Sequence, residues 1–520
     1  MAKYQKDLTG ARRGESNMNN KTMPERIQLV IFGGTGDLSR TKLIPALYKL
    51  FKRSSLPDQF SILGLAHSIT DRKTYLQCIE DSLKKENLEI YDKESWNKFK
   101  EYLDYLQMDF TEDIGYNKLY RHLNNQESNQ ASQHCIYYLA TAPEFFPLIT
   151  ENLKEHRLSK SNESGWPRLV IEKPFGYSLK SAQDFNSQIC RAFPEENVYR
   201  IDHYLGKEMI QNILIMRFAN IFFEPIWNKH YIDNIQIVST ETSGIKTRGK
   251  YYDKAGALRD MVQSHLLQML ALITMESPAD MSTESIRQEK IKLLKTLAQT
   301  STSDNLQENL VIGQYKSGTV DGNSVPGYQD EKNIASDSRT ETFAAVKLMI
   351  NNLRWRGVPI YLKTGKRLHK KNAKIYIKFK TDFHPGFSQD KDPDANLLII
   401  KIQPEEGVSM QFNAKKPGSQ DKITPVYMDF CQQAPDLQNT PEAYEELMIA
   451  LFKGDQSLFT HWDGVKNSWI YIDKLRDYLE KNQLKPEKYN PGSNGPAFSK
   501  EMMEKDGRRW WDEEEFNAST

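Results

Sequence analysis

A glycine-rich turn near the start of the chain constrains its fold more than any other feature. The turn reads Gly33-Gly34-Thr35-Gly36-Asp37-Leu38 and lies between an apolar, β-rich run at 27–33 and a stretch with leucines at helical spacing. Glycine lets the backbone turn sharply and approach a ligand without a Cβ, and the free N–H groups of the next helix attract a pyrophosphate. The turn therefore predicts a strand–turn–helix unit that binds a dinucleotide, although it departs from strict GxGxxG and such glycines also serve tight packing.

Further apolar runs indicate how this unit is extended. Strand candidates at 60–66, 134–140 and 169–176 alternate with stretches of helical spacing. Such alternation predicts βαβ units around a parallel sheet. We therefore expect a doubly wound, Rossmann-like α/β domain over residues 27–200, which binds the dinucleotide and follows a disordered leader over residues 1–26.

The pattern changes after residue 200. Long amphipathic helical stretches at 204–219 and 255–274 are mixed with strands in which polar and apolar residues alternate. Alternation at period two is typical of an antiparallel sheet with one covered face. We expect a larger α+β domain over residues 201–520 with a mainly antiparallel sheet, which binds substrate and supplies the dimer interface. The charged segment after Pro496 is expected to be loosely held.

Charge and cysteine usage exclude several classes of protein. Lys and Arg number 70 against 69 Asp and Glu, so the formal charge of +1 does not indicate a nucleic-acid partner. No run approaches the roughly 18 apolar residues of a membrane span, and the first 26 residues lack the apolar core of a secretory signal. The four cysteines show no CxxC spacing, so we expect neither a metal site nor disulfides, and a reducing cytoplasmic location.

Several long segments together resemble one enzyme family. The segment GGTGDLSRTKLIPALYKL is similar to the coenzyme motif of the glucose-6-phosphate dehydrogenases. Further blocks match the same family in the same order, namely IEKPFG at 171–176, RIDHYLGKEMIQNILIMRFAN at 200–220, PIWN at 225–228, GKYYDKAGALRDMVQSHLLQML at 249–270, RWRGVPIYLKTGKRL at 354–368 and PEAYEELM at 441–448. The resemblance implies oxidation of C1 of D-glucose 6-phosphate to 6-phospho-D-glucono-1,5-lactone with NADP, the first step of the pentose phosphate pathway, by a homodimer or homotetramer.

This oxidation needs a base that takes the hydroxyl proton while hydride leaves C1. His265 lies among apolar residues in MVQSHLLQML, which would keep its imidazole neutral, as a base requires. The residues alone favour a buried core histidine, whereas the resemblance implies that His265 is the catalytic base. It also implies that Asp202 holds the other imidazole nitrogen, and a helix N-cap role for Asp202 stays open.

The resemblance also implies the ligands of the substrate phosphate. His203 and Lys207 are four residues apart, so a helix would place them on one face with Tyr204 beside them. An exposed helical surface would show the same pattern. In the family's signature RIDHYLGKEM, however, these three positions bind the phosphate, and Lys207 also reaches the sugar.

The sugar hydroxyls need polar groups from several segments. Glu241 ends an alternating strand, where its carboxylate would reach a pocket rim or simply face solvent. Lys173 precedes Pro174, which restricts the lysine to extended geometry and would aim it between coenzyme and sugar. The substrate ligands implied by the resemblance are Lys173, Glu241, Asp253, Lys366, Gln403 and, more weakly, Lys371.

The coenzyme ligands are expected at the glycine turn and after the second strand: Gly33, Gly34, Thr35, Gly36, Asp37, Leu38, Lys42, His67, Ser68 and Lys173. The family usually has an arginine for the 2′-phosphate of NADP where His67 stands here, and an acidic residue would have indicated NAD. His67 indicates neither clearly, so NADP is favoured, NAD use stays open, and Arg40 and Arg72 are alternative phosphate donors.

A second, structural NADP is not expected. The positions that bind it in some animal members are Lys401, Ser409 and Gln411 here, and these residues would bind its phosphate poorly. Two other functions remain alternatives. A related Rossmann dehydrogenase for another sugar would lack the phosphate ligands at positions 203, 204 and 207. A catalytically silent NADP-binding sensor would lack the base and its carboxylate.

Overall fold

The computed structural model describes residues 23–69, 71–86, 90–124, 134–160, 165–299, 306–381, 396–418, 422–431 and 442–513. The strands are β1 (Arg26–Phe32), β2 (Gln59–Ala66), β3 (Leu103–Gln107), β4 (His134–Leu139), β5 (Pro167–Ile171), β6 (Val198–Ile201), β7 (Ile232–Thr240), β8 (Leu310–Tyr315), β9 (Gly318–Val320), β10 (Asn323–Val325), β11 (Phe343–Met349), β12 (Pro359–Gly365), β13 (Asn372–Phe379), β14 (Leu397–Gln403), β15 (Gly407–Lys415), β16 (Ile423–Cys431), β17 (Phe459–Thr460) and β18 (Glu487–Tyr489). The α-helices are α1 (Ile44–Lys52), α2 (Arg72–Glu86), α3 (Lys93–Phe99), α4 (Asp113–Asn124), α5 (Phe146–Glu155), α6 (Leu179–Cys190), α7 (Glu208–Ala219), α8 (Phe223–Ile226), α9 (Gly249–Ala257), α10 (Leu267–Thr274), α11 (Thr283–Gln299), α12 (Leu306–Asn309), α13 (Ala443–Lys453), α14 (Trp462–Lys481) and α15 (Ala497–Lys505). Residues 1–22 of the expected leader lie outside the described residues.

The first half of the chain forms the predicted parallel sheet. Its seven strands lie in the order β17-β6-β5-β4-β1-β2-β3, and every neighbouring pair is parallel except the short β17 against β6. The strand order reverses between β1 and β4, the place where doubly wound folds bind their ligands. The doubly wound prediction is confirmed, and the glycine turn follows β1 at this reversal.

The apolar run of β1 is explained by its position in the centre of the sheet. Leu29 and Ile31 pack into the core on one face, whereas Val30 and Phe32 pack into the core on the other. Side chains alternate between the two faces of a strand, so a strand covered on both faces must be apolar throughout. This burial fixes the direction in which β1 delivers the glycine turn.

The second half of the chain forms a nine-stranded sheet in the order β16-β15-β14-β13-β7-β12-β11-β8-β18. Its pairs are antiparallel except β7 with β12 and β8 with β18. The predicted α+β domain with a mainly antiparallel sheet is therefore confirmed.

Part of the C-terminal half returns to the first sheet. Helix α13 packs its apolar residues into the core that α1 covers, with the rings of Phe452 and Phe60 5.3 Å apart. Arg53 of the first half also pairs with buried Glu445 at 2.6 Å. Strand β17 then pairs with β6 at the sheet edge. The chain thus crosses back over the boundary near residue 200, which the prediction of two consecutive domains did not include.

The segment after Pro496 is held more firmly than expected. It contains α15, and Trp510 beyond this helix is only 2% exposed. Lys363 of β12 also pairs with Asp512 at 2.7 Å, and both side chains are buried. The expectation of a loose tail is wrong up to residue 513, because its few large apolar groups and one buried ion pair outweigh its charged composition.

Candidate active site

The predicted catalytic residues meet beside the ends of β5 and β6. Lys173 follows β5 by two residues, and Asp202 directly follows β6. His265 comes from the segment between α9 and α10. Loops after parallel strands emerge at one edge of the sheet, where polar groups from different segments converge. Asp202 and His265 are buried there, and Lys173 is half-buried.

The segment that carries His265 is not the continuous α-helix predicted over 255–274. Leu258–Leu266 form a π-helix between α9 and α10. Gly256 has φ +67°, and a Cβ at this glycine would lie 2.4 Å from Oε1 of Glu341. The same oxygen accepts a hydrogen bond of 2.9 Å from the N–H of Leu258, the first π-helical residue. Gly256 and the Glu341 carboxylate thus end the α-helix and begin the π-helix at Leu258. Turns of π-helix are frequent at functional sites.

His265 and Asp202 form a buried hydrogen-bonded pair. Nδ1 of His265 donates to Oδ1 of Asp202, and the two residues are only 2% and 1% exposed. Burial opposes ionisation of Asp202, but the neighbouring His265 and Lys173 together lower the pKa of its carboxyl group. Burial lowers the pKa of His265, partly offset by Asp202. A neutral imidazole with its proton on Nδ1 leaves Nε2 as the proton acceptor.

The Lys173 ammonium group contacts this nitrogen. Its Nζ lies 2.9 Å from Nε2 of His265 and also donates to the Asp260 carbonyl at 2.9 Å and to Oγ of Ser264 at 2.7 Å. Burial lowers the pKa of Lys173, whereas Asp260 and Asp202 raise it. The peptide bond between Lys173 and Pro174 is cis, as is the bond between Gln403 and Pro404.

The three predicted phosphate ligands lie on consecutive turns rather than on a helix. Leu205 N–H bonds the Asp202 carbonyl at 2.9 Å, and Lys207 N–H bonds the Tyr204 carbonyl at 3.0 Å. Helix α7 begins only at Glu208, so the prediction of a helix from residue 204 is wrong. The Asp202 carboxylate accepts from Tyr204 N–H at 3.1 Å and holds the first turn, so Asp202 is not a helix N-cap.

The structure nevertheless gathers these side chains around the buried pair. The ring of Tyr204 stacks on His265 at 4.3 Å, and its hydroxyl lies 3.0 Å from Oγ of Ser239. The ring of His203 lies 4.6 Å from His265. Burial, together with His265, lowers the pKa of His203 to about 3, so this ring is neutral and offers an N–H. Lys207 donates to Oε1 of Gln403 at 2.8 Å, which joins two predicted substrate ligands directly.

The remaining predicted sugar ligands divide into two groups. Lys366 donates to Oε2 of Glu241 at 2.7 Å, so these two lie together at the strand ends of β7 and β12. Lys371 is exposed, and its charge contributes to the lowered pKa of Lys207, although burial is the larger cause and Glu406 opposes it. The Asp253 carboxylate instead accepts from Tyr328 at 2.8 Å and Ser338 at 2.5 Å, so its observed partners lie outside the cluster.

The glycine turn leaves no room for side chains. Gly33 has φ +88°, and a Cβ there would lie 2.5 Å from the Ala140 carbonyl oxygen. A Cβ on Gly34 would lie 2.8 Å from Cα of Gly64 in β2. The turn is therefore pressed between β4 and β2, with Gly36 N–H closing it on the Gly33 carbonyl at 2.9 Å. This cradle at the reversal of the strand order fits a dinucleotide.

The expected 2′-phosphate ligands lie next to the turn. Oγ1 of Thr35 and Oγ of Ser68 are 3.5 Å apart, and His67 is 77% exposed. The only charged group paired with His67 among the described residues is Asp109, with Nε2 and Oδ2 4.0 Å apart. Arg72 donates to the backbone carbonyls of Leu103 and Lys100, so this alternative phosphate donor already has partners. Lys42 is exposed on the short π-helix Ser39–Leu43.

Two site residues were missed by the sequence reasoning. Ser264 and the Asp260 carbonyl both accept from Lys173, and Tyr251 donates to Oδ1 of Asp260 at 3.0 Å. Ser264 could have been predicted because it is the neighbour of His265 in the sequence. Asp260 could not, because residues five apart lie on the same side of a π-helix but not of an α-helix. Among the described residues, no group of three or more His, Cys, Asp or Glu side chains is arranged to hold a metal ion. In the same part of the chain, no helix combines the length and apolar character of a membrane span.

Comparison with known proteins matches almost the whole chain to one family. The glucose-6-phosphate dehydrogenase NAD binding domain matches residues 30–212, and the glucose-6-phosphate dehydrogenase C-terminal domain matches residues 214–511. The glucose-6-phosphate 1-dehydrogenase of Bacillus subtilis (strain 168) is 42% identical over 496 residues, which cover 95% of this chain and 100% of that protein. Glucose-6-phosphate 1-dehydrogenase 2 of Mycobacterium tuberculosis (strain ATCC 25618 / H37Rv) is 38% identical over 93% of this chain and 94% of its own.

Solved structures of the same family also match this chain. A glucose-6-phosphate dehydrogenase in complex with its substrate glucose-6-phosphate superimposes with a TM-score of 0.85 at 35% identity, over 94% of this chain and 99% of that one. Glucose-6-phosphate 1-dehydrogenase from Mycobacterium avium gives a TM-score of 0.79 at 31% identity, over 94% and 98% of the two chains. The chain therefore belongs to the glucose-6-phosphate dehydrogenase family of oxidoreductases, as the sequence resemblance predicted.

Proposed function

We propose that this enzyme oxidises C1 of D-glucose 6-phosphate to 6-phospho-D-glucono-1,5-lactone, with NADP as its coenzyme. The observation that carries the proposal is the buried His265–Asp202 pair, whose Nε2 contacts Lys173 and whose imidazole lies against the rings of His203 and Tyr204. A relative solved with glucose-6-phosphate shares this fold. A base, a sugar-binding group and phosphate donors are thus found together.

His265 acts as the general base. The C1 hydroxyl replaces the Lys173 ammonium as the donor to Nε2, and this nitrogen takes the proton while C1 becomes a carbonyl carbon. Asp202 stabilises the imidazolium that forms and keeps its Nδ1–H in place. The coenzyme, held by the glycine turn, would supply the acceptor for the hydride that leaves C1. Lys173, freed from Nε2, remains as a donor beside the reacting oxygen.

Charge and hydrogen bonding assign the other ligands. Lys207 supplies a positive charge to the substrate phosphate, with the neutral His203 ring and the Tyr204 hydroxyl as further donors. Glu241 and Lys366 offer an acceptor and a donor to adjacent sugar hydroxyls, and Gln403 orients Lys207. Lys371 adds a second cation on the phosphate side, and Asp253 reaches the sugar only if it exchanges its present partners.

The glycine turn would hold the pyrophosphate, and Thr35, Ser68 and His67 would meet the 2′-phosphate of NADP. Use of NAD as well stays part of the proposal, because Asp109 beside His67 opposes a dianionic phosphate. A second, structural NADP is not expected. Ser409 and Lys401 both contact Asp429, whose negative charge disfavours a phosphate at that position.

We further propose that the enzyme is a cytoplasmic homodimer or homotetramer. Support for self-association comes from β16, the outer strand of the nine-stranded sheet. Met428 and Phe430 on this strand are 51% and 62% exposed. Exposed apolar groups on an edge strand are typical of a surface that pairs with another chain.

An assay of purified enzyme with glucose 6-phosphate tests the proposal. We expect turnover with NADP, weaker turnover with NAD, and a KM for unphosphorylated glucose that is higher by orders of magnitude. Turnover of glucose as efficient as that of glucose 6-phosphate would favour a dehydrogenase for another sugar. Coenzyme binding without turnover of either sugar would favour a silent sensor.

A further inference from the structure

A small cavity lies between α10, α11 and the segment before α14, and none of the predicted substrate ligands lines it. Its volume is about 20 Å³, room for about one water molecule. The polar groups that line it come from three elements. Helix α10 contributes Gln268, and α11 contributes Thr283, Arg287 and Lys290. The segment before α14 contributes Gln456, Ser457 and His461.

Lys290 is the unusual member of this lining. It is 8% exposed and has no hydrogen bond or ion pair with any residue that the structure describes. A buried ammonium group is costly unless an opposite charge compensates it. Burial lowers the pKa of Lys290 to about 8, and Asp202 is the one carboxylate that acts to raise it. Lys290 is therefore charged at neutral pH, and the negative charge of Asp202 favours this charged form.

The backbone brings the cavity close to the catalytic pair. Gln268 lies three residues after His265, about one turn further along the same helical segment. Phe459, which also lines the cavity, pairs in β17 with Ile201, the residue before Asp202. Asp202 thus lies one residue beyond the strand residue that pairs with a residue of the cavity lining.

Two buried oxygens in this region lack partners. Oδ2 of Asp202 and Oε1 of Gln268 accept no hydrogen bond from any described residue. Buried polar atoms are almost always paired with protein or ordered water. The Lys290 ammonium group and the unpaired oxygen of Gln268 line one space with room for about one water, which is the composition of a water-bridged pair. The unpaired Oδ2 of Asp202 belongs to the residue that follows Ile201, the partner of the lining residue Phe459.

We propose that Lys290 is a positioning residue, whose ammonium group, linked to Gln268 through a cavity water, stabilises the ionised Asp202 from the side of the cavity. A cation at this place makes protonation of the His265–Asp202 pair less favourable. It would keep the base neutral at the lower end of the working pH range. This role rests on the proposed function of His265 as the base.

Other charges also act on the pair and must stay unchanged in a test. On the substrate side they are Lys173, Asp260, His203 and, beyond Lys173, Glu172. On the cavity side they are Arg287 and His461, with Glu195 and Asp463 beside His461. Substitution of Lys290 changes none of these groups, so a shift in titration would report the Lys290 charge itself.

The test is the pH dependence of kcat/KM for glucose 6-phosphate in Lys290→Met, which keeps most of the length of the side chain and removes its charge. We expect the acidic limb of this profile, the fall of kcat/KM at low pH, to move to higher pH by about half a unit to one unit. Lys292→Met serves as the matched control, because Lys292 is 67% exposed on the same helix and pairs only with Glu289 among the described residues. Its limb should not move.

Lys290→Arg separates charge from packing. It retains the cation, so its acidic limb should stay near that of the unchanged enzyme even if its thermal midpoint falls. Should Lys290→Met fail to fold, Lys290→Gln removes the charge with a polar side chain and must show the same upward shift. An unmoved limb in the folded neutral variant, or an equal shift in Lys290→Arg, would overturn the proposal.

These outcomes are distinct from failure of the proposed base. If His265→Asn keeps both the activity and the acidic limb of the unchanged enzyme, then His265 is not the base, whatever Lys290 variants show. If His265→Asn loses activity and the limb of Lys290→Met does not move, only the role of Lys290 fails.

Discussion

The ammonium group of Lys173 lies 2.9 Å from Nε2 of His265, the one imidazole nitrogen that Asp202 leaves unbound. The lone pair that takes the substrate proton in the proposed mechanism is therefore engaged by a lysine before substrate arrives. Because the donor is a cation, the contact also keeps the imidazole unprotonated. The site is thus held in the protonation state that the proposed mechanism requires.

Replacing His265 by Asn should abolish general-base catalysis while keeping a hydrogen-bonding side chain of similar shape. Loss of a general base typically costs about 10²–10⁴-fold, and we expect this loss in kcat with little change in KM. Steady-state kinetics with saturating NADP measure it. Asp202→Asn should give a smaller loss of the same kind, and a His265→Asn variant with more than about a tenth of the original kcat would contradict the assignment.

The pH profile of the unchanged enzyme gives a second check on the base. Burial lowers the pKa of His265 below its usual value near 6.5. The imidazole therefore becomes protonated, and inactive as a base, only below about pH 6.5. We expect kcat/KM to fall on the acidic side of this value and to remain level just above it. An acidic limb well above pH 7 would mean that another group controls the rate.

Replacing Lys207 by Ala should weaken binding of the phosphate. A charge-assisted hydrogen bond to a phosphate is lost, so KM for glucose 6-phosphate should rise by about 10-fold or more. Turnover of unphosphorylated glucose should hardly change, since it has no phosphate to lose. Equal losses for both sugars would show that Lys207 does not bind the phosphate, and Gln403→Leu should give a milder form of the same effect because Gln403 orients Lys207.

Replacing His67 by Arg should favour NADP over NAD. Arginine offers a permanent, forked cation to the 2′-phosphate, which an imidazole ring cannot match in geometry. KM for NADP should therefore fall, with kcat near its original value. An unchanged ratio of kcat/KM for the two coenzymes would show that His67 does not contact the phosphate. Arg40 would then be the leading candidate, since Arg72 already binds two carbonyls.

Replacing Glu341 by Gln should remove a pH dependence of stability. Burial raises the pKa of the Glu341 carboxyl to about 7 in the folded protein, although the Leu258 N–H opposes this. The folded state therefore holds this proton more tightly, and the associated stability, full below about pH 4.5, is lost as the pH rises towards 7. Denaturant unfolding at several pH values should give a free energy that falls less steeply in Glu341→Gln, by up to about 1.4 kcal/mol per pH unit. Glu501→Gln on the exposed face of α15 is the control, and identical slopes for both variants would contradict the buried titration.

The glycine turn and the strands around it could be predicted because their requirements are local. A buried central strand must be apolar, and a turn without room for a Cβ must be glycine, so both are visible in the residues of 27–36. The resemblance to the family then named His265 and Asp202, which lie far apart in the chain. No local pattern would have paired them, because their contact depends on how the π-helix Leu258–Leu266 packs beside the end of β6.

Other features were hidden for identifiable physical reasons. The π-helix of Leu258–Leu266 differs from an α-helix only in the spacing of its hydrogen bonds, so the apolar pattern looks the same for both. The residues of the turns at 203–206 would also suit a helix. The Asp202 carboxylate favours the turns because it accepts a hydrogen bond from Tyr204 N–H. The tail was judged by its charge, whereas Trp510 and the ion pair of Asp512 determine its packing.

The return of α13 and β17 to the first sheet has a consequence for how the protein is made. The ribosome synthesises the six parallel strands of that sheet within the first 201 residues, but the helix that covers part of its core and the strand that closes its edge arrive only at residues 443–460. Until then the nascent sheet exposes the apolar surface that α13 will cover, and exposed surface of this kind favours aggregation. Completion of the coenzyme domain is therefore delayed until most of the second domain has emerged, and the two halves must mature together.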